Sequence, residues 1–331
     1  MSECGSGPFF GVAIPTCNGQ PHIASALGSV LAQAKDLPFE LIISDDCSDD
    51  TTLDEVRSRV DGDAIIHQNP TRLGLAGNWN QCLALARTLY VTIFHQDDVM
   101  LPGHLMAHAR AFARDSGIGL VASGSTVIDA EGKPVAPEVV PASGLGPADL
   151  ILPPGEFAPL MLCGNPLRCS AISLRVAAAQ QVGLFDSSYR YVLDADYWVR
   201  ISRQWKIAWL AEPTVLVRWH PKSETHRFKT GTADLDENER LMNELFAKDL
   251  ADHPHRADLR RLGARTLARA FVNRAHDALR GRQPELAHEA LTRALRLSPG
   301  IVTTLIKDPR LALQMMTLAM SPSLANRWFG R

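Results

Sequence analysis

Along the first 130 residues the apolar positions alternate between two periods. Phe9 to Pro15 is a short unbroken apolar run ended by proline, which predicts a buried strand. From His22 to Ala34 the apolar residues Ile23, Ala26, Leu27, Val30 and Leu31 fall at i, i+3, i+4, i+7 and i+8, the stripe of an amphipathic helix. Phe39 to Ser44 predicts a second buried strand running into Asp45 and Asp46, and Ser48-Asp49-Asp50-Thr51 offers capping groups for a helix through Leu53, Val56 and Val60. Ala64 to His67 predicts a third strand, Asn69 to Gly77 a turn-rich loop, and Trp79, Leu83 and Ala86 a helical face. Tyr90 to Phe94 predicts a fourth strand, ending at His95-Gln96-Asp97-Asp98. Unbroken apolar strands alternating with helices predict an α/β protein, a mostly parallel, Rossmann-like sheet flanked by helices.

The middle of the chain is less regular. Residues 118–123 and 125–129 predict two strands, with Glu131 to Pro134 as a turn. Residues 134–166 are rich in Pro and Gly and predict a long surface loop, a lid or acceptor-binding segment. Ser170 to Leu174, Ile207 to Leu210 and Thr214 to Trp219 predict strands, and Asp194 to Ser202 a short helix. From about 235 the pattern becomes helical. One stripe holds Leu267, Ala270, Phe271, Ala275 and Ala278, and a second Leu286, Ala290, Leu291, Ala294 and Leu295. The pair is similar to a single tetratricopeptide unit, though an ordinary helical hairpin explains it better, because such units need neighbours. The expected division is a catalytic domain over 1–234 and a C-terminal α-helical appendage over 235–331.

Charge and cysteine content narrow the partners. The 331 residues carry 34 Lys+Arg against 36 Asp+Glu, a net charge of −2, which speaks against a dedicated nucleic-acid binder. Six cysteines without a CxxC pair argue against a structural zinc site and for reduced thiols in the cytoplasm. The N-terminus lacks the character of a signal peptide, and no apolar stretch is long enough to span a bilayer, so peripheral membrane contact stays open.

In an open parallel sheet, ligands bind beyond the carboxyl ends of the strands. Three of the first four strands end there in polar groups: Pro15-Thr16-Cys17-Asn18, Asp45-Asp46 and His95-Gln96-Asp97-Asp98. Adjacent carboxylates repel unless a cation or donors offset them, and such oxygen ligands suit Mg2+ or Mn2+ bound with phosphates. The chain has no GxGxxG after strand one, no GxxxxGK[ST] and no GxSxG, which disfavours a nicotinamide enzyme, a P-loop NTPase and an α/β-hydrolase.

Several segments, in order, resemble the family 2 glycosyltransferases, inverting enzymes of the GT-A fold. They are VAIPTCNGQPHIASALGSVLAQ, FELIISDDCSDDTT, GLAGNWNQCLALARTLYVTIFHQDDVMLPGHL and CSAISLRVAAAQQVGLFDSSYRYVLDADYWVRI, within residues 9–225. The resemblance implies a nucleotide-sugar donor, a divalent metal (Mn2+ or Mg2+) and a glycan or lipid-linked glycan acceptor, with bacterial surface-glycan assembly as the usual setting. It places Pro15, Thr16, Asn18, Asp45, Asp46, Asn80, His95 and Asp97 on the nucleotide sugar, with Asp46 the better base contact. Asp97, Asp98 and His220 fall on the metal. His95 stands where the family's first metal-motif carboxylate usually is, and Cys17 where an aromatic usually is. The catalytic base falls on Asp194, six residues before Arg200, with Asp196 as rival, and the helix start predicts a depressed pKa for Asp194. A nucleotidyltransferase and a non-catalytic nucleotide-sugar binder or scaffold remain the alternatives. The former lacks its usual glycine-rich loop in PTCNGQPH.

Overall fold

The computed structural model describes residues 9–60, 62–135, 145–220, 223 and 228–301, and the chain divides into two compact units. The first takes in Met1–Leu160 and Asn165–His220, the second Met161–Gly164 and Pro221–Arg331.

The first unit is a mixed nine-stranded sheet with helices on it. Strands β1 (Phe10–Thr16), β2 (Phe39–Asp45), β3 (Ile65–Gln68) and β4 (Tyr90–Ile93) pair in parallel in the order β3-β2-β1-β4. Helices α1 (Ile23–Leu31), α2 (Thr52–Arg59) and α3 (Gly74–Leu85) make the crossovers. Beyond β4 the direction changes. Strand β8 (Ile172–Arg175) runs antiparallel to both β4 and β6 (Ile118–Ile128), and β6 pairs in parallel with β9 (Lys206–Arg218). Strands β5 (Val99–Met100) and β7 (Leu150–Leu152) add antiparallel pairs to β9. Beneath the sheet, Phe10, Val12, Ile14, Leu27, Val30 and Phe112 belong to one apolar core.

Four local expectations change. The two strands expected at 118–129 are one strand, β6, because a bulge at Gly124 lets the ladder continue. A Cβ there would lie 2.8 Å from the Ala211 carbonyl oxygen, so the close backbone approach requires glycine. The same irregular register joins the two segments expected at 207–219 into β9. The loop expected at 134–166 contains β7 and a 3-10 turn at Leu160–Cys163, and its residues 136–144 lie outside the described ones. Helix α3 begins at Gly74, inside the segment expected to be loop, because Asp46 receives its first amides, from Leu73 (2.6 Å) and Gly74 (2.9 Å).

Helices α4 (His104–Arg114), α5 (Val176–Val182) and α6 (Leu193–Ser202) complete the first unit. The second contains α7 (Ala233–Lys248), α8 (Arg256–Arg280) and α9 (Pro284–Leu297), with Leu267, Phe271, Ala275, Ala290, Leu291 and Ala294 in its own core. Arg274 is buried there and donates to both oxygens of Asp234, at 3.0 and 2.7 Å. No helix among the described residues is long and apolar enough to cross a membrane.

Candidate active site

The sheet register sets the geometry. Thr16 pairs with Asp45, and Asp45 with Gln68, so three polar side chains share one row at the carboxyl ends of β1, β2 and β3. Strand β4 stops opposite Ala13, which leaves a notch beside the last residues of β1. Pro15 sits in that stretch, where no β4 partner needs its missing N–H.

Two polar links close the strand ends together. The Asn18 amide nitrogen donates to Ser48 Oγ (2.9 Å), and Asn18 Oδ1 accepts from the Asp49 amide (2.9 Å). Asn18 has a φ of 50°, a left-handed conformation that asparagine tolerates better than most residues. On the other side Gln96 Oε1 accepts from the Cys17 amide (2.9 Å), while Gln96 Nε2 donates to the Cys17 carbonyl (3.1 Å). Position 17 therefore contributes through its backbone.

The carboxylates of the first pair differ in what they hold. Asp45 is fully buried and accepts from Thr16 Oγ1 (2.9 Å), the Ser48 amide (3.0 Å), Ser48 Oγ (2.5 Å) and Gln68 Nε2 (3.4 Å). Four donors fill a carboxylate, so Asp45 fixes the turn. Asp46 accepts from Asn69 Nδ2 (3.0 Å) and the Leu73 and Gly74 amides at the start of α3, which leaves it acceptor capacity.

Asn80, expected against the nucleotide sugar, directs its amide elsewhere. Its Oδ1 accepts from the Phe185 amide (2.8 Å) and its Nδ2 donates to the Phe185 carbonyl (3.2 Å). The asparagine that reaches the strand ends is Asn78. Its Nδ2 donates to the carbonyls of Ser44 (2.9 Å) and Thr16 (3.4 Å), and its Oδ1 accepts from Ser44 Oγ (2.7 Å) and Asn69 Nδ2 (3.1 Å). A helix-period pattern treats Asn78 as a polar interruption. Its burial on the inner face of α3, next to Trp79, is the signal that only packing reveals. Asn78→Ala should therefore destabilise the chain by about 2–4 kcal/mol in urea melts, because it strands several buried partners at once. A loss below about 0.5 kcal/mol would show that the network carries no weight.

The second carboxylate pair forms the metal-type cluster. One ligand atom each from His95, Asp97 and Asp98 lies within 4.8 Å of the others. Asp98 is buried and accepts from the Arg218 amide (2.7 Å). Burial, and then the adjacent Asp97 charge, push its carboxyl up to about 8. Burial also works to raise Asp97, but the hydrogen bond with His220 and the charges of His95 and His220 outweigh it and leave Asp97 below the usual carboxylate range. His220 Nε2 stands 2.9 Å from Asp97 Oδ2. Arg218 donates to the carbonyls of Asp97 (2.9 Å), Asp129 (3.1 Å) and Ala130 (3.0 Å), tying the end of β9 to the cluster. A buried carboxylate beside a half-buried one, flanked by imidazoles, fits a divalent cation by the chemistry of the donors. His95 packs on Trp79, ring centroids 5.4 Å apart, and burial holds its imidazole below the ordinary value.

Asp194 lies in the first turn of α6. Its Oδ1 accepts from the Ala195 amide (2.7 Å) and its Oδ2 from Asn165 Nδ2 (3.0 Å). Contrary to the depressed pKa expected from the helix start, burial raises it, against the Ala195 amide and the charges of His95 and Arg168. Asp196 is differently engaged. It accepts from Arg200 Nε (2.8 Å), and Arg200 goes on to the carbonyls of Val182 (3.2 Å) and Leu184 (2.9 Å). Asp196 thus anchors a clamp on α6, whereas Asp194 has no cation bonded to it among the described residues. Asn165 had no sequence signal, and Gln96, though part of the polar cluster after β4, gave none of its partner, since each acts across a long separation in the chain.

Residues 11–134, which hold the strand ends and the His95-Gln96-Asp97-Asp98 cluster, match the model of glycosyl transferase family 2. Over that stretch the chain is similar to the family 2 glycosyltransferases. The fold is GT-A. It superposes on TarS 1–349 of S. aureus in complex with UDP-GlcNAc with a TM-score of 0.60 at 18% identity, covering 96% of this chain and 88% of the other. The mannosyltransferase PcManGT of Pyrobaculum calidifontis, in complex with GDP-Man and Mn2+, superposes with a TM-score of 0.50 at 16% identity, covering 98% and 88%. An uncharacterised protein of Mycobacterium tuberculosis is 25% identical over 259 residues, 76% of this chain and 79% of its own length.

Proposed function

We propose that the chain is an inverting, metal-dependent glycosyltransferase that moves a sugar from a nucleoside diphosphate to an acceptor hydroxyl. The observation that carries this reading is a division of labour among carboxylates. Asp97 and Asp98 form a cation-type pair with His95 and His220, while Asp194 has a raised pKa and no cation bonded to it among the described residues. The nucleoside contacts fall to Asp46, Thr16, Asn18 and the Pro15 backbone, at the ends of β1 and β2.

A divalent cation held by Asp97 and Asp98, with His95 and His220 alongside, would neutralise the diphosphate as it leaves. Asp194 takes the proton of the acceptor hydroxyl as that oxygen attacks the anomeric carbon. Asn165 and the Ala195 amide hold its two oxygens in place. A raised pKa makes the Asp194 carboxylate a stronger proton acceptor than that of an exposed aspartate. The attack comes from the face opposite the departing diphosphate, so one displacement inverts the configuration. We place the acceptor among glycans or lipid-linked glycans of a bacterial surface polysaccharide, on the family match alone.

Donor binding gives the test. A nucleoside diphosphate at about 100-fold excess over Kd adds roughly 2.7 kcal/mol of stability. Screening UDP and GDP with Mn2+ should raise the melting temperature with one of them, and chelator or Asp97→Ala should abolish the rise. A shift that survives both would remove the metal from this reading.

A further inference from the structure

The arginines of the second unit divide into those with counter-charges and those without. In α7, five acids face two basic residues, and Arg240, Glu244 and Lys248 pair along one side. Arg293 bonds Asp236 (2.6 Å) and Glu239 (2.5 Å), and Arg274 is buried against Asp234. In α8 the balance reverses, with seven arginines against two aspartates. Its inner face is apolar and buried through Leu267, Phe271 and Ala275.

The outer face is a cationic line. Arg261, Arg265 and Arg269 follow one another at i, i+4 and i+8, and Arg280 returns to the same side three turns later. All four are exposed. Arg261 has Asp258 beside it, while Arg265, Arg269 and Arg280 have no ion pair among the described residues. Like charges at i, i+4 weaken a helix, so the arrangement works against the stability of α8 taken alone. Leu262 lies on the same side and is 42% exposed.

We propose that this face of α8 docks on an anionic lipid surface. Its shape fits a plane: from Arg261 to Arg280 the line extends about 28 Å at 1.5 Å per residue. Guanidinium groups pair with lipid phosphates and carboxylates, and the exposed leucine can enter the interface between them. Nucleic acid fits less well. The one aromatic residue of α8, Phe271, is buried, so no ring on the helix is offered for base stacking. The inference goes beyond glycosyl transfer and does not rest on it.

The test is sedimentation of the full chain with phosphatidylcholine vesicles, with and without phosphatidylserine. Binding is expected only with phosphatidylserine, and it should fall steeply as added salt shortens the screening length. Each arginine near such a surface is worth about fivefold in partitioning, so R265Q/R269Q/R280Q should lose about 100-fold. The melting temperature should hold, because the substituted side chains are exposed. If the triple variant does not fold, R265Q and R269Q alone should each lose about fivefold. Equal binding to neutral vesicles, or variants that bind like the parent, would overturn the proposal. So would a parent chain that binds duplex DNA or polyphosphate but no vesicle.

Discussion

Asp194→Asn should abolish transfer to the acceptor while donor affinity stays within about threefold. General-base assistance is typically worth about 10²–10⁴ in rate, which corresponds to roughly 3–5 kcal/mol at 1.36 per decade. Asparagine keeps the shape and still accepts from the Ala195 amide, so the first turn of α6 should survive. What it lacks is a basic oxygen. Asp196→Asn should behave differently, because that carboxylate bonds Arg200, which in turn holds the Val182 and Leu184 carbonyls. Its loss should appear as a lower melting temperature, with a much smaller effect on turnover of the folded fraction. The measurement is single-turnover transfer with donor bound to saturation. A dead Asp196→Asn beside an active Asp194→Asn would show the base to lie two residues further along, and would contradict the division between clamp and base.

The parts of this site that were legible in the sequence are those whose chemistry is local. Asp45-Asp46 and Asp97-Asp98 follow directly from apolar strands, and the strand-helix alternation already put them at one sheet edge. The parallel core β3-β2-β1-β4 was readable for the same reason, since each strand is a continuous apolar run. What escaped depends on partners distant in the chain. Gln96 grips the backbone of Cys17, and Asn165 holds Asp194, neither of which leaves a periodic trace. The start of α3 was hidden because its amides are received by Asp46, a residue on the preceding crossover. Gly124 looked like a strand break, whereas a bulge there keeps one long strand in register. Helix α4 was missed for a chemical reason. Its buried face comprises His104, Leu105, His108, Ala111 and Phe112, so two of the five inward positions read as polar.

Those two histidines should make the chain acid-sensitive in a way that their replacement removes. His104 and His108 are fully buried, their ring centroids 4.0 Å apart. His104 Nδ1 meets Thr214 Oγ1 at 2.7 Å, and His108 Nδ1 meets Ser173 Oγ at 2.8 Å. Neither Nε2 has a hydrogen-bond partner among the described residues. Burial pushes His104 down to about 3 and His108 well below 6.5, with His104 adding to the effect on His108. His104 is therefore neutral in the folded chain at pH 5, and burial disfavours the charged form of His108 in the same way, while in the unfolded chain both are protonated. Their contribution is intact above pH 6.5 and declines as pH falls from there toward 3, because the unfolded state then binds more protons. By pH 5 the loss from His104 is about 2 kcal/mol, and His108 adds to it in the same direction. Asp98, held at about 8, works in the opposite direction, as does the raised Asp194, so the acid limb of the parent alone would understate the effect. The comparison that isolates the histidines is parent against His104→Asn/His108→Asn, in which asparagine keeps a polar atom near each Nδ1 position. The carboxylates are common to both chains and cancel. Urea midpoints from pH 8 to pH 5 should show the parent losing its advantage over the double variant by about 2 kcal/mol or more. A difference that stays constant across that range would mean that the buried imidazoles do not titrate on unfolding as their burial requires.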